Sequence, residues 1–222
     1  MSRTAVYTGL VLRLRSSGES NSEITLLTAE EGIIKATVFG GAKSKLRAHC
    51  APYNSGQVWI YRDKAKDYAK LSDFDVHSWR AGLRELYERT MTASAIADTI
   101  LSSHGGGGEW AAALKLAADT LDVLENANEE LCGRLLVHFL WRWAGFLGIQ
   151  PHVEDCANCE TCSEYKLNLN LGCCKWLSTV ETLEPAQLHR YSMDNKSFNE
   201  AKALTTAVLT SAIGKRLTSW DW

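Results

Sequence analysis

Near residue 80 the hydrophobic period of this chain changes from two to about three and a half, which limits it to a β-rich part followed by a helical part. Before the change, Val6, Thr8, Leu10, Leu12 and Leu14 share one parity, and Arg13 and Arg15 share the other. Such alternation turns apolar groups to one face of a strand and cations to the opposite face. Further short strands are expected at 22–28, 33–39, 56–61 and 69–76, with a turn at Gly32 joining the first two of these. In the 56–61 strand, Val58 and Ile60 oppose Trp59 and Tyr61. Five short strands in about 80 residues suit a small barrel, and the natural expectation is a five-stranded oligonucleotide-binding (OB) fold. By pattern alone, a small β sandwich or an SH3-like barrel fits as well.

After the change the apolar positions take helical spacing. A helix is expected at 84–103, carrying Leu86, Ile96 and Ile100, and another at 109–126, carrying Trp110, Leu114, Leu121 and Leu124. The strongest runs from 129 to 147, with Leu131, Leu135, Phe139, Trp143 and Phe146 on one stripe and Gly148 and Pro151 at its end. Such a stripe reads as core. The run Gly105–Gly108 reads as a connector, because a phosphate-cradling loop needs a Lys followed by Ser or Thr before its helix. Ser197-Phe198-Asn199-Glu200 has the form of a capping box and is expected to open a last helix. Trp220 and Trp222 are expected to pack back on this half. The fold class is therefore α+β, with an OB barrel over 1–80 and an all-α domain over 81–222 that contains a knuckle at about 152–178.

The net charge of −2 argues against a uniformly basic protein, but its distribution is uneven. Residues 1–80 hold 12 Lys/Arg against 8 Asp/Glu, and residues 81–222 hold 12 against 18. Only the first half can attract polyanions by bulk charge. No stretch approaches the roughly 18 apolar residues that span a bilayer. Met1 runs directly into a strand pattern without a signal-peptide layout, and a cysteine cluster that reads as a metal site rather than a disulfide framework makes a reducing cytoplasm the expected compartment.

Five of the seven cysteines fall within Cys156–Cys174. Cys156-Ala157-Asn158-Cys159 can present two thiolates to one metal from a tight turn, and a second pair some 14 residues on can close a tetrahedral zinc site. The stretch between is expected to form a short hairpin. Cys173 and Cys174 are adjacent, however, and Trp176 stands where the last cysteine of a second Cys-x-x-Cys would be. The expected ligands are Cys156, Cys159, Cys173 and Cys174, with Cys162 as a substitute and His152 as a weaker candidate. A closed four-ligand site is structural and leaves no position for a substrate.

The combination of Gly18-Glu19, Leu26-Leu27-Thr28, Glu31-Gly32, Gly40-Gly41-Ala42-Lys43-Ser44, Pro52 and Cys156-Ala157-Asn158-Cys159 resembles the bacterial recombination mediator RecO family. The resemblance is specific over about residues 5–60 and is one of layout beyond them. It implies an OB domain, a helical domain and an inserted zinc knuckle. It also implies a non-catalytic, nucleoid-associated DNA repair and recombination protein that binds single- and double-stranded DNA and anneals complementary strands. With RecR, such a protein promotes RecA loading on DNA coated by single-strand-binding protein (SSB), whose C-terminal tail docks on the helical domain. The irregular second cysteine pair departs from the family pattern.

The residues offer this chemistry independently. Lys43, Lys45 and Arg47 form a cationic loop cluster, Arg13 and Arg15 share a strand face, and Lys35 is expected on the neighbouring strand. Lys64, Lys66 and Lys70 fall around the next turn. Cations placed around a barrel are what a phosphate backbone binds. Tyr7, Phe39, Trp59 and Tyr61 can stack on bases, but each reads first as structural. A second function class is a protein-interaction adaptor, in which Arg134 or Arg142 receives an acidic, apolar peptide tail. A nuclease is the third class. Asp63, Asp67, Asp73 and Asp75 are close in sequence, but they suit turns and strand ends better than a metal cluster.

Overall fold

The computed structural model describes residues 3–18, 20–41, 44–63, 65, 67–153, 165, 167 and 169–221. The chain divides into two compact units: 1–81 with 108–118, and 82–107 with 119–222.

The first unit contains β1 (Thr4–Ser17), β2 (Asn21–Thr28), β3 (Gly32–Val38), β4 (Ser55–Asp63) and β5 (Tyr68–Ser78). They close into a barrel in the order β1-β2-β3-β5-β4. Every pairing is antiparallel except β3 with β5. Five strands closed in this way make an OB-like barrel, which removes the unpaired edges that a flat sheet would expose. Tyr7, Val11, Ile24, Leu26, Ile60 and Phe74 belong to its buried interior. Each such aliphatic side chain contributes about 1.5–3 kcal/mol on burial.

Alternation along β1 differs from expectation. Tyr7 and Val11 face the interior, then Leu14, while Val6 is 49% exposed. The ladder with β2 slips between Val11 and Arg13, so Leu12 is the extra residue of a β-bulge. Odd residues point inward before the bulge and even residues after it. Arg13 and Arg15 consequently lie on the outer face, as alternation placed them.

The β2–β3 turn depends on Gly32, at φ +68°. A Cβ there would lie 2.8–2.9 Å from the Trp110 indole, so glycine is required by backbone and by space alike. Thr28 closes the turn: its Oγ1 donates to the Gly32 carbonyl at 2.8 Å and accepts from the Glu31 N–H at 3.3 Å.

Six α-helices lie among the described residues: α1 (Lys45–His49), α2 (Tyr87–Ser102), α3 (Trp110–Leu124), α4 (Glu129–Phe146), α5 (Leu171–Val180) and α6 (Asn195–Ile213). Asn128 caps α4 by accepting the Leu131 N–H at 2.9 Å, and Glu129 and Glu130 occupy the first turn, where they complement the helix dipole. Leu135, Phe139 and Trp143 are fully buried, and Trp143 donates from Nε1 to Ser103 Oγ at 2.8 Å. Trp220 is likewise buried and donates to Thr99 Oγ1 at 2.9 Å, so it packs on α2, while Trp222 lies outside the described residues.

The last helix starts earlier than its capping box suggests. Asp194 is the cap, accepting the Ser197 N–H at 2.9 Å. Ser197 therefore sits inside the helix with its hydroxyl on Asp194 and Asn170, and Glu200 accepts the Asn170 N–H instead. Carboxylates are at least as good caps as hydroxyls, so Asp194 prevails.

Candidate nucleic-acid interface

Strand pairing decides which cations meet. Arg13 pairs with Thr25, and Thr25 pairs with Lys35, so Arg13 and Lys35 lie in one row across β1, β2 and β3. The next row runs Arg15, Glu23, Thr37 and then Lys70 on β5. Directly paired residues share a face, and Ile24, Leu26, Ile34 and Ala36 occupy the opposite one. The expected strand cations are thus on the outside of the barrel, with Lys35 two strands away from the arginines rather than adjacent to them. Lys70 also lies 5.1 Å over the Tyr61 ring.

OB folds bind oligonucleotides on the face of strands two and three, flanked by the connections β1–β2 and β4–β5. A cavity of about 640 Å³ lies against this face, lined by Lys35, Thr37, Glu23, Arg62, Asp63 and Tyr68 among others. Its mouth is mixed in charge, with cations and carboxylates together.

The glycine-paired loop after β3 leads into α1, a turn of helix that was legible in the sequence only as loop. Gly40 has φ +107°, and a Cβ there would meet Ser44 Cβ at 2.8 Å. Ser44 folds back, its N–H donating to the Gly41 carbonyl at 3.0 Å and its Oγ accepting from the Arg47 N–H at 3.4 Å. Lys45 is exposed and Arg47 half-buried on α1. Lys43, Lys64 and Lys66 lie outside the described residues.

The aromatic candidates divide. Tyr7 is buried, donates to Glu31 Oε1 at 2.7 Å and carries Arg62 at 5.4 Å over its ring. Burial, followed by the hydrogen bond to Glu31, pushes its hydroxyl up to about 12. Arg62 also pairs with Glu31 at 2.7 Å, so Tyr7, Glu31 and Arg62 form a structural clasp. Trp59 is half-buried, and Tyr61 accepts from Arg3 at 3.1 Å. Phe39 differs: it is 48% exposed, with its ring centroid 6.4 Å from that of Tyr68. Tyr68 was not singled out in the sequence, because nothing local distinguishes it from any strand-opening tyrosine.

The second unit holds another cavity, of about 600 Å³, between the start of α4 and the start of α6. Arg134, Lys202, Leu136, Met193 and Phe198 help line it. Arg134 is buried, donating from Nη1 to the Tyr191 carbonyl at 2.8 Å and lying 3.5 Å from Glu130, while its Nε has no partner among the described residues. Burial lowers the Lys202 pKa. Arg142 lies elsewhere, donating to the Leu183 carbonyl at 2.9 Å.

Cys156, Cys159 and Cys162 lie outside the described residues. Cys173 and Cys174 are buried in the first turn of α5, which Asn170 caps by accepting the Cys173 N–H at 2.8 Å. Cys173 is a thiol, in no disulfide. Cys174 is in a disulfide here, and a disulfide sulfur is not a thiolate ligand. Trp176 shares the Cys173 face of α5, one turn on, and is buried. Among the described residues, no three or more His, Cys, Asp or Glu side chains stand together as a metal site. Asp63, the last residue of β4, accepts the Ala65 N–H at 3.1 Å, whereas Asp73 lies inside β5, paired with Trp59, and accepts the Phe74 N–H at 2.8 Å. No described helix is long and apolar enough to cross a membrane.

Residues 1–79 match the family model "Recombination protein O N terminal", and residues 84–221 match "Recombination protein O C terminal". Three curated relatives bear the name DNA repair protein RecO. That of Pelotomaculum thermopropionicum is 29% identical over 153 residues, covering 68% of this chain and 58% of the relative. That of Acaryochloris marina is 26% identical over 158 residues, covering 70% and 53%. That of Nostoc punctiforme is 26% identical over 161 residues, covering 70% and 53%. The chain thus spans a little over half the length of the relatives it matches. Because the two models together account for the barrel and nearly all of the helical part, the chain belongs to the RecO family.

Proposed function

We propose that this chain acts in DNA repair and recombination as a non-catalytic protein that binds single- and double-stranded DNA and anneals complementary strands. With RecR, it would promote RecA loading on SSB-coated DNA in the cytoplasm. The observation that carries the reading is the row joining Arg13 to Lys35 on the binding face of an OB-like barrel, with Arg15 in the next row. The relatives' printed name, DNA repair protein RecO, supports the repair role. Mechanistically, the outer cations and those of the loop and α1 (Lys43, Lys45 and Arg47) hold phosphates and release their counterions. Two strands screened in this way repel each other less and meet more often. Replacing Arg13, Arg15 and Lys35 by Gln should weaken binding to a single strand and lower the slope of log affinity against log salt by about 2. Unchanged affinity and slope in that variant would remove the surface.

A second reading, in which the chain serves the same pathway mainly as an adaptor, is favoured by the cavity at Arg134. A buried guanidinium with a spare donor beside Phe198, Met193 and Lys202 suits an apolar peptide ending in carboxylates, as the SSB tail would be. Labelled tail peptide should bind the full chain and lose affinity in Arg134→Lys. A peptide that binds neither protein would exclude this site.

We also infer a structural zinc, held by Cys156, Cys159, Cys173 and, once its disulfide is reduced, Cys174, with Cys162 as a substitute ligand. Reduced protein should carry about one zinc, lost in Cys156→Ser, by elemental analysis. Metal-free reduced protein would rule the zinc out.

A further inference from the structure

We propose that Phe39 and Tyr68 form a stacking platform for an unpaired nucleic-acid base, so that this face of the barrel distinguishes single strands from duplex. The proposal rests on the DNA-binding reading above and adds what the site recognises besides phosphate. Phe39 follows Val38, the last residue of β3, and keeps the outward parity of Lys35 and Thr37. Nearly half its surface faces solvent, yet its ring already lies 6.4 Å from Tyr68, tilted by 52°. Isolated exposed aromatics are ordinary. Here two rings meet on the binding face of an OB-like barrel, and one of them lines a cavity of about 640 Å³.

The charge around that cavity identifies the occupant. Glu23, Asp63 and Asp67 line it together with Lys35 and Arg62, and Arg62 is already committed to Glu31 and to the Tyr7 ring. With three carboxylates beside two cations, the mouth suits a neutral group better than a further phosphate, and leaves Lys35 to contact the backbone at its rim. A base is neutral, offers a π-face to the two rings, and carries amino groups that a carboxylate accepts. The phosphates on either side of that base then fall to cations outside the cavity: Arg13 in the row of Lys35, and Lys70 paired with Thr37. A paired base has no free face to offer, so duplex engages only the cations.

The test is fluorescence anisotropy of the full chain with a labelled single strand of about 12 nucleotides and with a blunt duplex of the same sequence. Phe39→Ala should lose about 5- to 100-fold in single-strand affinity. Its duplex affinity and its salt slope should match the parent, and Phe39→Trp should restore single-strand binding. Unaltered single-strand affinity in Phe39→Ala overturns the platform, and so does an equal loss on both ligands. A parent protein that binds neither strand form at low salt overturns the DNA-binding reading itself, which separates that failure from failure of the platform.

Discussion

Arg13 and Lys35, 22 positions apart in the sequence, stand in one row of the barrel because each pairs with Thr25. The row exists only because Leu12 bulges. Without that extra residue, the alternation set by Tyr7 and Val11 would carry Arg13 inward, among the buried side chains. An unpaired guanidinium there would cost several kcal/mol. The bulge therefore delivers β1's cations to the face that β2 and β3 present.

The β2–β3 turn is the first place to challenge this geometry. Gly32→Ala must adopt a left-handed backbone and push its Cβ against the Trp110 indole. We expect a loss of about 2–4 kcal/mol, read as a lower urea midpoint with an unchanged slope. A variant as stable as the parent would show that Trp110 does not hold that position.

Much of the barrel was legible in the sequence. Strands expected at 22–28, 33–39, 56–61 and 69–76 are found at Asn21–Thr28, Gly32–Val38, Ser55–Asp63 and Tyr68–Ser78. Strong β-formers with Gly32 as the break leave little choice. The bulge was not legible, because Leu10, Val11 and Leu12 are all apolar and all buried, and a run without alternation carries no parity. Helix α1 was hidden for another reason: at five residues it is too short to show a period. Helix α5 was hidden behind the cysteine spacing, which drew attention to ligands rather than to Asn170 as a cap. Of the site, the cations could be identified but not their neighbours. Phe39 became distinct only when the fold brought Tyr68 to it.

Trp220 tests the helical half. Its indole is fully buried, and Thr99 both accepts from it and donates to the Ala95 carbonyl at 2.7 Å. Trp220→Ala should cost about 3–5 kcal/mol in denaturant unfolding, and Trp220→Phe markedly less. Equal, small losses in both would mean that the tail contributes little to this core.

Stability should fall in mild acid through His138. This ring is fully buried, with Nε2 2.9 Å from the Leu183 carbonyl, and burial pushes its pKa from 6.5 down to about 4. The native state then refuses a proton that the unfolded chain accepts. The stability is complete above pH 6.5 and drains as pH falls toward 4. We expect about 2 kcal/mol to be lost by pH 5. His138→Gln, which can keep a donor on Leu183 but does not titrate, should flatten that part of the profile in urea titrations at pH 7.5 and 5. Parallel profiles for the two proteins would assign the acid loss to other groups.

The most direct test of the central claim is the rate at which two complementary oligonucleotides pair, followed by fluorescence, with the purified chain at low and at moderate salt. We predict acceleration that fades as salt rises, because phosphate contacts made by the outer cations hold the strands. Pairing no faster than without protein, together with no DNA binding at low salt, would contradict the account and leave the partner-docking reading in its place.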